Sequence, residues 1–148
     1  MATILPNKDI AYSALNTGFH LSITYKTSYN SNTDGVVCSM GSFDNNGLVS
    51  GYEIYSNKVV CKIGALDSIA VDLDQNVLIT VDLDIKKSDS SWFFKIFVNG
   101  TLSAVTEVNS VTSWLFGVPL YLGCRNFNGT LSNYCATKIY DLKIYQDS

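Results

Sequence analysis

Four stretches decide how this chain is read: VLITVDLDIKK (Val77–Lys87), WFFKIFVNG (Trp92–Gly100), PLYLGCRNFNGT (Pro119–Thr130) and KIYDLKIY (Lys138–Tyr145). Side chains alternate across an extended chain. Val77, Ile79, Val81, Leu83 and Ile85 therefore share one face, with Thr80, Asp82 and Asp84 on the other. The first face predicts core. Trp92, Phe94, Ile96 and Val98 alternate in the same way against Phe93, Lys95 and Phe97, and Asn99-Gly100 supplies a hairpin turn. Leu120 and Leu122 flank Tyr121, and Ile139–Tyr145 closes the pattern.

Toward the N-terminus the same grammar continues. Phe19, Leu21, Ile23 and Tyr25 fall on one face, and Tyr29–Asp34 (YNSNTD) is made of turn residues. Gly35–Met40 reads as a short strand before the loop Gly41–Gly47. Tyr52–Tyr55 and Lys58–Ile63 form a hairpin across Ser56-Asn57. VDLD occurs at Val71–Asp74 and again at Val81–Asp84, which predicts two successive strand-like pieces around an Asp74-Gln75-Asn76 turn. No segment repeats apolar residues at helical spacing over ten or more positions. Short strands separated by Gly and Asn turns predict an all-β, two-sheet antiparallel β-sandwich occupying residues 1–148 as a single domain.

Composition agrees with that class and excludes others. At 148 residues and 47% hydrophobic, the chain has enough apolar side chain for one real core. Net charge is −3 and the ten cationic residues are scattered. Nucleic-acid binding needs a basic stripe to neutralise phosphates, so no nucleic-acid partner is expected. No apolar run reaches the ~18 residues needed to cross a bilayer as a helix, so no membrane insertion is expected. The segment MATILPNKDIAYSALNTGF has no basic region followed by an apolar one and does not read as a secretory signal. The expectation is a mature or excised module, or a product exported by another route such as virion assembly. Either places it on an extracellular surface or a virion.

Cys38, Cys61, Cys124 and Cys135 contain no C-x-x-C pair, and His20 has no cysteine close in sequence, which disfavours zinc. The even count permits two disulfides in an oxidising compartment, and buried thiols acting as small apolar residues are the other reading. No cofactor and no metal site is expected.

The order of these pieces resembles the laminin-G-like, concanavalin A-like lectin superfamily, whose modules are jelly rolls. The matching residues are Val77–Asp82, Phe97–Gly100, Leu120–Gly123 and Ile139–Tyr145, with a looser match at Phe19–Tyr25 and Val36–Gly41. Two departures matter: Val77-Leu78 stands where that superfamily often opens its long strand with Trp-His, and no cluster matches its calcium ligands. The resemblance implies a module that recognises surfaces and sugars.

Catalysis finds little support. Only two glutamates occur, Glu53 and Glu107, neither in a Glu-x-Asp run, and His20 is the single imidazole. Asp72/Asp74 and Asp82/Asp84 place carboxylates about 7 Å apart on a strand face. They fit either a calcium or acid-pair site or a solvated face that discourages edge pairing. The second reading is preferred.

Sugars are held by aromatic faces and by amide or guanidinium donors. The candidate carbohydrate-binding set is Trp114, Tyr121, Arg125, Asn126, Asn128 and Tyr134. Trp114 fits an exposed platform and a plug of the sandwich end equally well. Phe93 and Phe97, opposite the core face, are candidate interface residues. The expected function is non-enzymatic recognition of a glycan or cell-surface polysaccharide. The alternative is a structural virion component that self-associates or assembles with other virion proteins.

Overall fold

A computed structural model describes residues 2–4, 18–27, 35–44, 47–63, 67–88, 91–108, 120–127 and 130–145. Among them there is no helix. The strands are β1 (Ala2–Ile4), β2 (Gly18–Thr27), β3 (Val36–Asp44), β4 (Gly47–Tyr55), β5 (Lys58–Ile63), β6 (Asp67–Asp72) and β7 (Ile79–Ser88). They continue with β8 (Ser91–Val98), β9 (Thr101–Val108), β10 (Leu120–Leu122), β11 (Arg125–Phe127), β12 (Thr130–Ser132) and β13 (Thr137–Tyr145).

One sheet has six strands in the order β1-β10-β3-β4-β5-β6, and the other has five, β13-β2-β7-β8-β9. All pairings are antiparallel. A separate two-stranded ribbon joins β11 to β12. This is the expected all-β sandwich, of jelly-roll type.

The core lies where the two inner faces meet. The five-stranded sheet contributes Leu21, Ile23, Tyr25, Ile79, Val81, Leu83, Ile85, Phe94 and Ile96, all buried. Val37, Cys38, Tyr52, Ile54, Val59 and Cys61 face them from the six-stranded sheet. Each large apolar side chain so buried stabilises the fold by roughly 1.5–3 kcal/mol. The side chains of Phe19 and Trp92 lie outside the described residues. Among the described side chains the alternation in β2, β7 and β8 means what the sequence predicts, with one exception. Val77 is 45% exposed, because β7 begins only at Ile79, after Asn76 turns the backbone with φ 59°.

The two VDLD segments follow different paths. β6 ends the six-stranded sheet, whereas β7 lies inside the five-stranded one, so the intervening turn crosses between sheets instead of closing a hairpin. Leu73 plugs this crossing, and its N–H donates to the Asn57 carbonyl at 2.8 Å. The Asn76 N–H donates to Thr27 Oγ1 at 3.1 Å and Gln75 Nε2 to Ser56 Oγ at 3.0 Å, which ties the crossing to both sheets.

Cys38, Cys61, Cys124 and Cys135 are free thiols, the first three buried. Burial disfavours the thiolate and pushes Cys61 up to about 12, with Cys38 raised further. These cysteines act as apolar filling.

Candidate functional site

The outer faces of the two sheets are finished differently. On the six-stranded sheet, Tyr55, Glu53, Ser39 and Tyr121 point away from the core, as their alternation with Ile54, Cys38 and Leu122 requires. The β11–β12 ribbon covers part of this face. Its flanks are stitched to β3, with Gly123 N–H donating to the Val37 carbonyl and Val36 N–H to the Asn133 carbonyl, both at 2.8 Å. Glu53 is fully buried beneath it. Arg125 Nε donates to Glu53 Oε2 at 2.7 Å and Nη2 to Oε1 at 2.6 Å. Tyr55 Oη donates to Glu53 and accepts from Arg125 Nη2 at 2.7 Å. Burial, followed by the hydrogen bond to Glu53, holds the Tyr55 phenol well above its usual range.

This geometry gives Arg125 a structural task. Its Nε and Nη2 are spent on Glu53 and Tyr55, which fixes the ribbon to the sheet. Tyr121 is half-buried on the same face, opposite Thr3 and Ser39 in register. Asn126 pairs with Leu131 in the ribbon, and Tyr134 is 59% exposed just beyond it. Trp114 and Asn128 lie outside the described residues, as does the side chain of Asn126. Of the candidate sugar-binding set, the structure thus brings Tyr121, Arg125 and Asn126 to one region.

The outer face of the five-stranded sheet holds a second grouping. Register places His20 beside Asp84, Ser22 beside Asp82, Phe97 beside Asp82 and Lys95 beside Asp84. A depression of about 330 Å³ is lined there by His20, Asp82, Asp84, Phe97 and Gly100, with Leu21 and Leu83 beneath. His20 Nδ1 lies 2.7 Å from Asp84 Oδ1, a buried oxygen. Phe93 and Phe97 are half-buried on this face. β7 runs between β2 and β8, so Asp82 and Asp84 sit on an interior strand and cannot guard a sheet edge, which corrects the reading from sequence. Asp72, on the edge strand β6, does occupy such a position.

Sequence reasoning named Asp82 and Asp84 as a pair and His20 alone, but not the three as a group. Only the Trp92–Val98 side of β7 was local in sequence; the pairing that brings Phe19–Tyr25 to its other side, and His20 to Asp84, is long-range. Among the described residues no three His, Cys, Asp or Glu side chains gather closely enough to hold a metal.

No protein-family model matches the sequence, and no curated protein does. Solved structures do share the fold. The CBM40 module of the Ruminococcus gnavus IT-sialidase, bound to α2,3-sialyllactose, superposes with a TM-score of 0.62 at 20% identity, over 87% of this chain and 76% of that one. The binding domain of botulinum neurotoxin serotype D/C gives a TM-score of 0.65 at 19% identity over 97% of this chain. A botulinum neurotoxin DC binding domain in complex with rat synaptotagmin II gives 0.64 at 17% identity. This chain spans only 36% and 35% of the length of those two toxin domains. These likenesses establish the sandwich fold.

Proposed function

We propose that this chain is a non-catalytic recognition module that binds a glycan on the outer face of its five-stranded sheet, acting at a cell surface or on a virion. The observation that carries the reading is the open depression in which Asp82, Asp84, His20 and Phe97 converge on rigid strands. Carboxylates accept hydrogen bonds from vicinal hydroxyls, and an aromatic ring packs against the C–H face of a pyranose. Sites on strands hold such groups more rigidly than sites on loops.

The same geometry disfavours hydrolysis. Asp82 and Asp84 project side by side from one strand, whereas glycoside cleavage needs carboxylates flanking the scissile bond. The order of β7, the Asn99-Gly100 hairpin, β10 and β13 supports kinship with the laminin-G-like superfamily. The sialyllactose-bound CBM40 neighbour supports a sugar as ligand for a sandwich of this kind.

The test is a glycan array probed with the chain displayed multivalently, since avidity reveals weak single-site binding. Wild type should bind a discrete glycan class, and Phe97→Ala should weaken it about tenfold, equivalent to 1.4 kcal/mol. A blank array overturns the reading. Trp114→Ala and Tyr134→Ala on the same array test the other candidate set, to which Tyr121, Asn126 and Asn128 also belong. Loss of signal with Tyr134→Ala and not with Phe97→Ala would move the site toward the ribbon.

A second reading has its own observation. β9 ends its sheet with Leu102 48% and Val105 52% exposed, on the face that also carries Phe93 and Phe97. An exposed apolar edge strand favours pairing with another chain. Assembly of this kind, by self-association or with other virion proteins, would show in sedimentation and be abolished by Val105→Lys.

A further inference from the structure

We infer that the depression on the five-stranded sheet takes a neutral, hydroxyl-rich saccharide and discriminates against acidic sugars. This rests on the glycan reading above and narrows it to a ligand class. The polar lining is two carboxylates and one imidazole, with no ammonium or guanidinium among the lining residues. His20 Nδ1 lies 2.7 Å from the buried Oδ1 of Asp84. Asp82 presents its carboxylate at the wall of the depression, and among the described residues nothing hydrogen-bonds it.

Charge decides the class. A sugar carboxylate or sulfate entering this space meets Asp82 and Asp84 at short range, and like charges at such distances repel strongly where solvent is partly excluded. The side chain suited to a sugar carboxylate is arginine, through two parallel N–H···O bonds. The chain has one arginine, Arg125. It lies with the other sheet, its Nε and Nη2 held by Glu53 and Tyr55. The nearby cations do not replace it. Lys95 stands opposite Asp84 in register but outside the lining of the depression, Lys86 lies opposite Phe93, and Lys143 pairs with Asp141 at 3.2 Å. Vicinal hydroxyls fit what remains: they donate to Asp82 while the ring's C–H face lies on Phe97.

The experiment uses the intact chain on an array of matched pairs, each neutral oligosaccharide beside its sialylated, sulfated and uronic-acid counterparts and beside cationic glucosamine oligomers. The expected result is binding to neutral members, with acidic counterparts at least about tenfold weaker. Titration of the best neutral hit should shift the NMR signals of the His20 and Phe97 rings. Asp82→Asn, a nearly isosteric change, should weaken neutral binding about tenfold while the far-ultraviolet spectrum stays native. Binding confined to acidic or to cationic glycans would overturn the ligand class and leave glycan recognition standing. An empty array would overturn both. Neutral binding that survives Asp82→Asn and leaves the His20 and Phe97 rings unshifted would overturn the placement.

Discussion

Arg125 and Glu53 are 72 positions apart in sequence and joined by two hydrogen bonds, Nε to Oε2 at 2.7 Å and Nη2 to Oε1 at 2.6 Å. Through this pair the β11–β12 ribbon is fastened to the outer face of β4, and a carboxylate with no exposed surface acquires its counter-charge. A buried ion pair contributes little net stability over apolar residues of the same size, but removing one partner leaves the other charge stranded.

Arg125→Ala should therefore destabilise the fold by about 3–5 kcal/mol. Glu53→Leu combined with Arg125→Met should recover most of that loss. Urea denaturation of the single and double variants measures both. A single-variant loss below about 1 kcal/mol, the worth of an exposed pair, would mean that water reaches Glu53.

Alkaline pH should weaken the fold. Burial raises Cys61 from 9.0 to about 12, and it raises Cys38, Tyr25 and Tyr52 as well. Between the unfolded and folded values the unfolded chain binds fewer protons, so stability falls as pH rises. Below the unfolded values both states are protonated and stability is unaffected by these groups. The urea midpoint should stay level through neutral pH and drop from pH 9 upward, each group adding a slope of about 1.4 kcal/mol per pH unit within its own window. Cys61→Ala should start lower and fall less steeply.

Thiol chemistry gives an independent check on the packing. Cys38, Cys61 and Cys124 are buried and Cys135 is half-buried. A thiol reagent at neutral pH should modify Cys135 first and reach the others only as fast as the sandwich opens, whereas all four should react at once in urea. Mapping modified cysteines by mass spectrometry over time distinguishes these rates. Rapid modification of Cys38 would contradict its place in the core.

How far the sequence could be read depended on whether a signal was local. The period-two pattern marks the core residues Ile79 to Ile85 because each apolar residue sits beside its own outward partner. Asn99-Gly100 marks the β8–β9 turn because few residues adopt positive φ. Glu53 defeats the same logic. It alternates with the buried Tyr52 and Ile54, which predicts exposure, yet it has no exposed surface. The ribbon that covers it is set by Arg125, and no short-range spacing encodes that contact. The His20–Asp84 approach was hidden for a related reason, since it depends on β2 lying against β7 in one particular register.

The Asn99-Gly100 turn permits the most direct test of a local rule. Both residues have positive φ, 51° and 81°, as a two-residue hairpin turn matching the twist of its strands requires. Asn99 also bridges to β7: its Oδ1 accepts from the Thr80 N–H at 2.9 Å, and its own N–H donates to the Thr80 carbonyl at 2.8 Å. A Cβ added to Gly100 would meet nothing within 4 Å, so Gly100→Ala strains the backbone without a clash. The expected cost is about 1–2 kcal/mol. Gly100→Asn should cost less, because asparagine tolerates the left-handed region. Asn99→Gly keeps the backbone freedom and loses only the side-chain bond, about 1 kcal/mol. Asn99→Ala loses both and should be the worse of the two. Thermal or urea unfolding of the four variants ranks them. Asn99→Ala matching Asn99→Gly would show that the left-handed conformation carries no penalty at that position.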